Sequence, residues 1–413
     1  MLRILKHSDA QDLITRKAVR LADAERTVAP ILEAIRTHGD AAVLEYARKF
    51  DGFEGADIRV AREELRAARD QLSGDFLAAI DVAWRNIREY AASQLPCERL
   101  IEYPDGRKLG QIVRPLESMG AYIPAGRYPL PSTLLMTAIP GQVAGVQRIT
   151  IMCPRPSVEI LGICDLLGLD RVYRLGGAQA IAALAYGTES IPRVDRIVGP
   201  GNIYVAAAKK LIAGEVGIDF VAGPTEIVII AADGNAAHIA ADMLAQAEHD
   251  VDASAILLTT SPPLASAVAA EVDRQLESLP TAAVAREAIA RNSAAVVVDS
   301  MEQAIEFSNQ LAPEHLSIHD SSLLPIVRNA GSIFIGPFSP EAAGDYASGP
   351  NHVLPTSGAA RIRGGLSAVD FVKVISVQEL PPEALRRLIP TVATLARAEG
   401  LEAHARSVEI RNA

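Results

Sequence analysis

Apolar residues along the first hundred positions recur with a helical period. Val28, Ile31, Leu32 and Ile35 stand at i, i+3, i+4 and i+7, and Val43, Tyr46, Ala47 and Phe50 repeat that spacing. Between the two stretches Gly39-Asp40 reads as a helix stop followed by an N-cap, and Asp51-Gly52 closes the second. Leu77, Ile80, Trp84 and Ile87 form a further stripe that holds the only tryptophan. Pro104-Asp105-Gly106 then separates Leu100-Ile101 from Leu109–Val113, the pattern of a hairpin. From about residue 140 the texture changes to short β-rich runs separated by helix-length segments. The runs are Arg148–Met152, Arg171–Leu175, Arg196–Val198, Ile227–Ile230, Ala255–Leu258, Ala295–Val298 and Ser332–Ile335. Continuous apolar strands alternating with helices predict parallel sheets covered on both faces, hence an α/β protein. After Pro381-Pro382 a helical segment runs to the end, and no internal repeat or low-complexity tract interrupts the chain.

A length of 413 residues suggests roughly two to three domains. Hydrophobic residues make up 49% and charged residues 22%, an ordinary globular mixture. With 50 acidic against 40 basic side chains the net charge is −10, which argues against a surface built to hold nucleic-acid phosphates. Cys97, Cys153 and Cys164 have no CxxC spacing and are odd in number, which excludes a disulfide framework and fits a reducing cytoplasm. The N-terminus turns polar at once, without the apolar run of a signal peptide. Two uncharged stretches of membrane-span length, 128–147 and 253–270, are interrupted by Pro129, Pro131 and Pro140 and by Pro262-Pro263. No membrane span is expected.

The common nucleotide and hydrolase fingerprints are missing: the chain has no GxGxxG after a strand, no GxxxxGK[ST], no HExxH and no GxSxG. Glycine-bearing turns do lie where strands end, at 120–126, 176–179 and 199–202, either as cofactor contacts beyond carboxyl ends of strands or simply as tight turns. Gln246 and His249, at i and i+3 of a helical stretch, share a face, which suits half of a metal site or a solvated helix surface. Glu314-His315 joins a carboxylate to an imidazole, a pair fitted to acid–base work, although a helix N-terminus would also favour Glu314. The segment 344–352, expected as a loop after a strand, carries Asp345 and His352. Glu399 and His404 sit in a terminal stretch that otherwise reads as a frayed surface helix. On these residues alone a zinc-dependent hydrolase remains open, and the acid–histidine pair argues against a non-catalytic binding protein.

Taken in order, these fragments resemble the histidinol dehydrogenase family over nearly the whole chain. The matching segments are GAYIPAG at 120–126, GGAQAI at 176–181, VGPGN at 198–202, AGPTE at 222–226 and QAEH at 246–249. They continue with PEHL at 313–316, GDYASG at 344–349, NHVLPT at 351–356 and AEGLEAH at 398–404. The resemblance implies oxidation of L-histidinol through an aldehyde to L-histidine with reduction of two NAD. Gln246, His249, Asp345 and His404 would hold a zinc ion, a nitrogen and oxygen set compatible with that metal. His315 would be the base, and Glu314 would activate water for the second step. Thr225, His352 and Glu399, with the metal set and His315, would contact the substrate; Tyr122, Gln179 and Asn202 would contact NAD. The implied fold has two Rossmann-like parallel-sheet domains without the GxGxxG loop, plus small N- and C-terminal helical segments. The corresponding division is an arm at 1–14, a large α/β domain at 15–121 and 226–366, a second, NAD-contacting domain at 122–225 and a C-terminal helical segment at 367–413. Members of the family are cytoplasmic homodimers whose C-terminal segment crosses to the neighbour, so Glu399 and His404 would complete the other subunit's site.

Overall fold

Runs of buried Val and Ile alternating with helices fold into two parallel sheets, joined by a small antiparallel one. The computed structural model describes residues 2–15, 21–125 and 129–412; Gly126, at the end of the 120–126 motif, lies outside them. The larger sheet has six parallel strands in the spatial order Arg3–Lys6, Ala294–Val297, Ser254–Thr259, Glu226–Ile230, His315–Ile318 and Ser332–Ile335. The smaller has five, in the order Arg171–Tyr173, Arg148–Met152, Ser118–Tyr122, Arg196–Val198 and Gly217–Ile218. The hairpin around Pro104-Asp105-Gly106 forms from Arg99–Glu102 and Lys108–Pro115, and Val372–Glu379 adds a third antiparallel strand. Every β-rich run expected from sequence is a strand to within two residues at either end.

The helix Leu21–Tyr46 carries the stripe Val28, Ile31, Leu32 and Ile35 and buries it among Tyr173, Ile181, Leu184 and Val205. It therefore packs on the helices Gly177–Tyr186 and Ile203–Ile212, which cover the five-stranded sheet. Likewise Arg62–Arg69 packs on Val158–Leu166, and Gly74–Ser93 on Pro131–Ala144. This differs from the expected division, in which 15–121 belongs with the larger sheet. Segments 21–46, 62–69 and 74–93 lie over the smaller one, because their apolar stripes match its helices. The expected boundary at 121/122 also cuts the strand Ser118–Tyr122, which is central in that sheet. The C-terminal segment opens with a short 3₁₀ helix, Ala368–Phe371, and then includes the strand Val372–Glu379 before its helices Pro382–Ala398 and Glu402–Glu409, which pack on each other.

Gly39 marks the expected break as a kink: its φ is +51°, which glycine adopts at little cost. Asp40 does not cap the following turn as expected. Its carboxylate instead accepts hydrogen bonds from the Ser190 N–H (3.3 Å) and Oγ (2.9 Å), tying the kink to the small sheet's periphery. Among the described residues no helix is long and apolar enough to cross a membrane.

Candidate active site

The chain passes from the small sheet to the large one through residues 219–225, and the site lies along that crossing. Turns at the carboxyl ends of the small sheet's strands supply one wall: Pro124 after Ser118–Tyr122, and Pro200, Gly201 and Asn202 after Arg196–Val198. The amino ends of two central strands of the large sheet supply the other, with Thr225 before Glu226–Ile230 and Glu314 and His315 opening His315–Ile318. The cavity between them holds about 620 Å³ and is also lined by Thr133, His249, Asp345, Tyr346 and His352. Ligand binding beyond carboxyl strand ends therefore describes only the small sheet's half of the cleft.

Glu314 and His315 stand at the start of a buried strand, not at a helix N-terminus. The helix Met301–Leu311 ends at Ala312, whose φ of +49° is left-handed and costs a non-glycine residue about 1 kcal/mol. Pro313 follows, and the chain enters the sheet with His315 opposite Ile227. Glu314 Oε2 accepts hydrogen bonds from Thr225 Oγ1 (2.5 Å) and the Glu226 N–H (3.0 Å). Burial pushes the Glu314 carboxyl upward. His315 Nδ1 lies 3.3 Å from the Glu226 carbonyl oxygen, which fixes Nδ1–H as a donor. Its Nε2 is buried, without a hydrogen-bond partner among the described residues, and lies 3.7 Å from Asp345 Oδ1. Burial favours the neutral ring, but the carboxylates of Glu341, Glu314 and Asp345 outweigh it and raise His315 to about 10. Three carboxylates around one imidazole make a cavity suited to a cationic occupant.

Gln246 lies in the last turn of the helix Ala236–Ala247, but the helix stops at its C-cap Glu248. His249 lies just beyond it, its N–H donating to the Gln246 carbonyl (3.4 Å), so the two do not share a helix face as expected. Asp345 is in the short helix Glu341–Tyr346 rather than a loop, with Glu341 one turn before it on the same face. Ligand atoms of His249, Glu341 and Asp345 lie within 4.8 Å of one another. The Gln246 amide nitrogen donates to Thr225 Oγ1 (2.6 Å), whose own proton goes to Glu314; turned over, the amide places its nitrogen 2.6 Å from Glu341 Oε1. Burial opposes ionisation of Asp345, yet His249 and His315 hold it well below the usual carboxylate range. His352 Nδ1–H donates to the Asp345 carbonyl (2.7 Å), and burial lowers the ring's pKa.

Within one chain, then, Thr225, Gln246, His249, Glu314, His315, Asp345 and His352 come together. Glu399 and His404 do not: both are exposed on the terminal helices, and neither lines the cavity. Sequence reasoning missed Glu341, which is fully buried against His315 (3.5 Å) and Gln246. Its only signal was an acidic residue four before Asp345, a spacing too common to single out.

A second cavity of about 450 Å³ adjoins the first, the two sharing Pro124 and Asn202. Tyr122, Gly177, Gln179 and Arg155 line it, with an apolar wall from Val28, Ile31 and Phe50. All three residues expected to contact NAD meet here. Asn202 is also the N-cap of Ile203–Ile212; its oxygen accepts from the N–H groups of Tyr204 and Val205, leaving its amide nitrogen for a ligand. Gly177 has φ +58°, and a Cβ there would sit 2.6 Å from Gln179 Oε1, so this turn requires glycine.

Comparisons with known proteins agree over nearly the full length. The family model for histidinol dehydrogenase matches residues 14–412. The histidinol dehydrogenase of Bacillus thuringiensis subsp. konkukian is 48% identical over 395 residues, covering 94% of this chain and 92% of that one. That of Syntrophotalea carbinolica is 45% identical over 427 residues, covering 100% and 99%. The crystal structure of histidinol dehydrogenase from Elizabethkingia anophelis superposes with a TM-score of 0.94 at 39% identity, covering 99% of this chain and 98% of that one. An acetylating aldehyde dehydrogenase from Geobacillus thermoglucosidasius, 13% identical with a TM-score of 0.50 over 88% of this chain and 100% of that one, shares the fold alone. Sequence and structure together establish that the chain belongs to the histidinol dehydrogenase family.

Proposed function

We propose that the protein oxidises L-histidinol through L-histidinaldehyde to L-histidine, the last step of histidine biosynthesis, with reduction of two NAD. The observation that carries the reading is the unpartnered, buried Nε2 of His315 at a cavity wall, with Glu314 beside it. Gln246, His249 and Asp345, with His404 from a second copy, would hold zinc; the nitrogen and oxygen donors and the surplus of carboxylates fit a divalent cation. A cation held there would offset the negative charge around His315 and help to position the substrate.

His315 accepts the hydroxyl proton at Nε2 while the hydroxyl-bearing carbon gives a hydride to NAD, leaving the aldehyde. Nδ1–H on the Glu226 carbonyl holds the ring in the tautomer that this requires. Glu314 has Oε2 committed to Thr225 and Glu226, so Oε1 takes the proton of the water that adds to the aldehyde carbon. His315 returns its proton to the aldehyde oxygen as the water adds, then accepts a hydroxyl proton of the hydrate while that carbon gives its remaining hydride to the second NAD; the acid so formed ionises to the carboxylate. Thr225 and His352 line the substrate's cavity, and Glu399 of a second copy would complement its ammonium group. Tyr122, Gln179 and Asn202 border the dinucleotide's path. A homodimer in the cytoplasm is part of this reading.

NADH formed from limiting L-histidinol, zinc and excess NAD tests it. Two NADH per histidinol, lost on chelation and restored by zinc, is the expected result. Failure to bind NAD, with release of a hydrolysis product, would assign the same residues to a metal-dependent hydrolase.

A further inference from the structure

Asp51 ends the turn Ala47–Asp51, far along the chain from the motifs at 120–126, 176–181 and 198–202, yet its side chain lines the second cavity. Its Oδ2 accepts hydrogen bonds from the Gly176 N–H (3.0 Å) and from Gln179 Nε2 (3.0 Å). Two consequences follow from donor and acceptor counting. With Nε2 committed to Asp51, Gln179 offers the cavity its oxygen. Oδ1 of Asp51 accepts no hydrogen bond among the described residues, so it is a second free acceptor at the same wall. Gly176 keeps this oxygen accessible, since a Cβ there would lie 2.7 Å from it.

The cavity's position says which part of a dinucleotide meets these acceptors. The nicotinamide must reach the carbon beside His315, in the first cavity. The chain of atoms then passes Pro124 and Asn202, common to both cavities, and its adenosine half enters the second. Val28, Ile31 and Phe50 offer the adenine an apolar wall. We infer that Asp51 is a specificity-determining residue, whose free carboxylate oxygen accepts the adenosine ribose 2′-hydroxyl and excludes a 2′-phosphate. A carboxylate serves this purpose in glycine-loop dinucleotide folds, where it follows the second strand of a βαβ unit. Here it arrives from an N-terminal helix outside the sheet. Among the described residues Arg155 is the one basic group on this wall, and its guanidinium already donates to the Ala125 carbonyl (3.1 Å).

The inference rests on the NAD-dependent reading above, and binding measurements separate the two. Nicotinamide fluorescence on the zinc-loaded protein, without histidinol, gives dissociation constants for NADH, NADPH and NADH lacking the adenosine 2′-hydroxyl. The intact protein is expected to favour NADH at least about tenfold over either of the others. In Asp51→Asn the preference over NADPH should fall about tenfold, and the penalty for the missing hydroxyl should shrink by a similar factor. The ligand series on the unaltered protein stands even if the variant folds poorly. Equal binding of NADH and NADPH by the intact protein would overturn the inference. So would an Asp51→Asn variant that weakens all three ligands alike, which would make Asp51 only a support for Gln179. No binding of any dinucleotide would instead overturn the functional reading itself.

Discussion

Glu314 is held by two donors on one oxygen and left free on the other, and His315 is held at Nδ1 and left free at Nε2. The two side chains therefore have separable duties, and Glu314→Gln should separate them. The expected outcome is a first hydride transfer near the normal rate, with the second slowed about 10²–10⁴-fold. Rapid-mixing measurement of NADH would then show one equivalent formed quickly and the other slowly; equal slowing of both would contradict it. A second residue-scale prediction concerns Asp242, one turn before Gln246, which burial raises to about 6. A carboxyl whose folded pKa lies above its unfolded value supports the fold below about pH 4 and loses that support as pH rises through 6. Asp242→Asn should therefore stabilise the protein at pH 8 by about 2 kcal/mol and leave it unchanged at pH 4, read by thermal or denaturant unfolding. Residues whose chemistry is visible side by side, such as Glu314-His315 or Gln246 and His249, were legible in the sequence. Glu341 and Asp51 were not, because each acts on partners brought close only by folding; Asp51 looks from the sequence like nothing more than the end of a helix.

Strands dominated by branched apolar residues were legible because burial on both faces demands that composition. The exceptions have specific causes. Ser118–Tyr122 is buried throughout but small at its centre, where Leu184 packs in the place a Cβ on Gly120 would take. His315–Ile318 is obscured by the polar pair at its head, and Val372–Glu379 is a largely exposed strand of mixed polarity. At this scale the turn into Gly177–Tyr186 makes the clearest prediction. Gly177→Ala meets both a left-handed backbone and Gln179 Oε1, so it should cost about 1–2 kcal/mol and weaken NAD binding. The KM for NAD should rise while zinc affinity stays unchanged; a loss of zinc would mean that the damage spreads beyond the turn.

The terminal helices share only a small core of Ala393, Ala396 and Ala405 and leave Leu395 60% and Ile410 77% exposed. Periodicity marked these segments as helical, but no pattern along one chain can say that their cover is another copy. If Glu399 and His404 serve a second subunit, mixing His315→Ala chains with His404→Ala chains should restore one working site per mixed dimer. Random pairing then gives roughly a quarter of normal activity; none at all would place each site within one chain. The adjoining cavities carry a last consequence. A reaction that consumes two dinucleotides per substrate must change carriers midway while a reactive aldehyde waits. Because among the described residues the passages share Pro124 and Asn202 alone, a spent carrier can depart through its own doorway while the half-oxidised molecule stays behind. An aldehyde scavenger such as semicarbazide in the medium should therefore leave the yield of two NADH per histidinol intact.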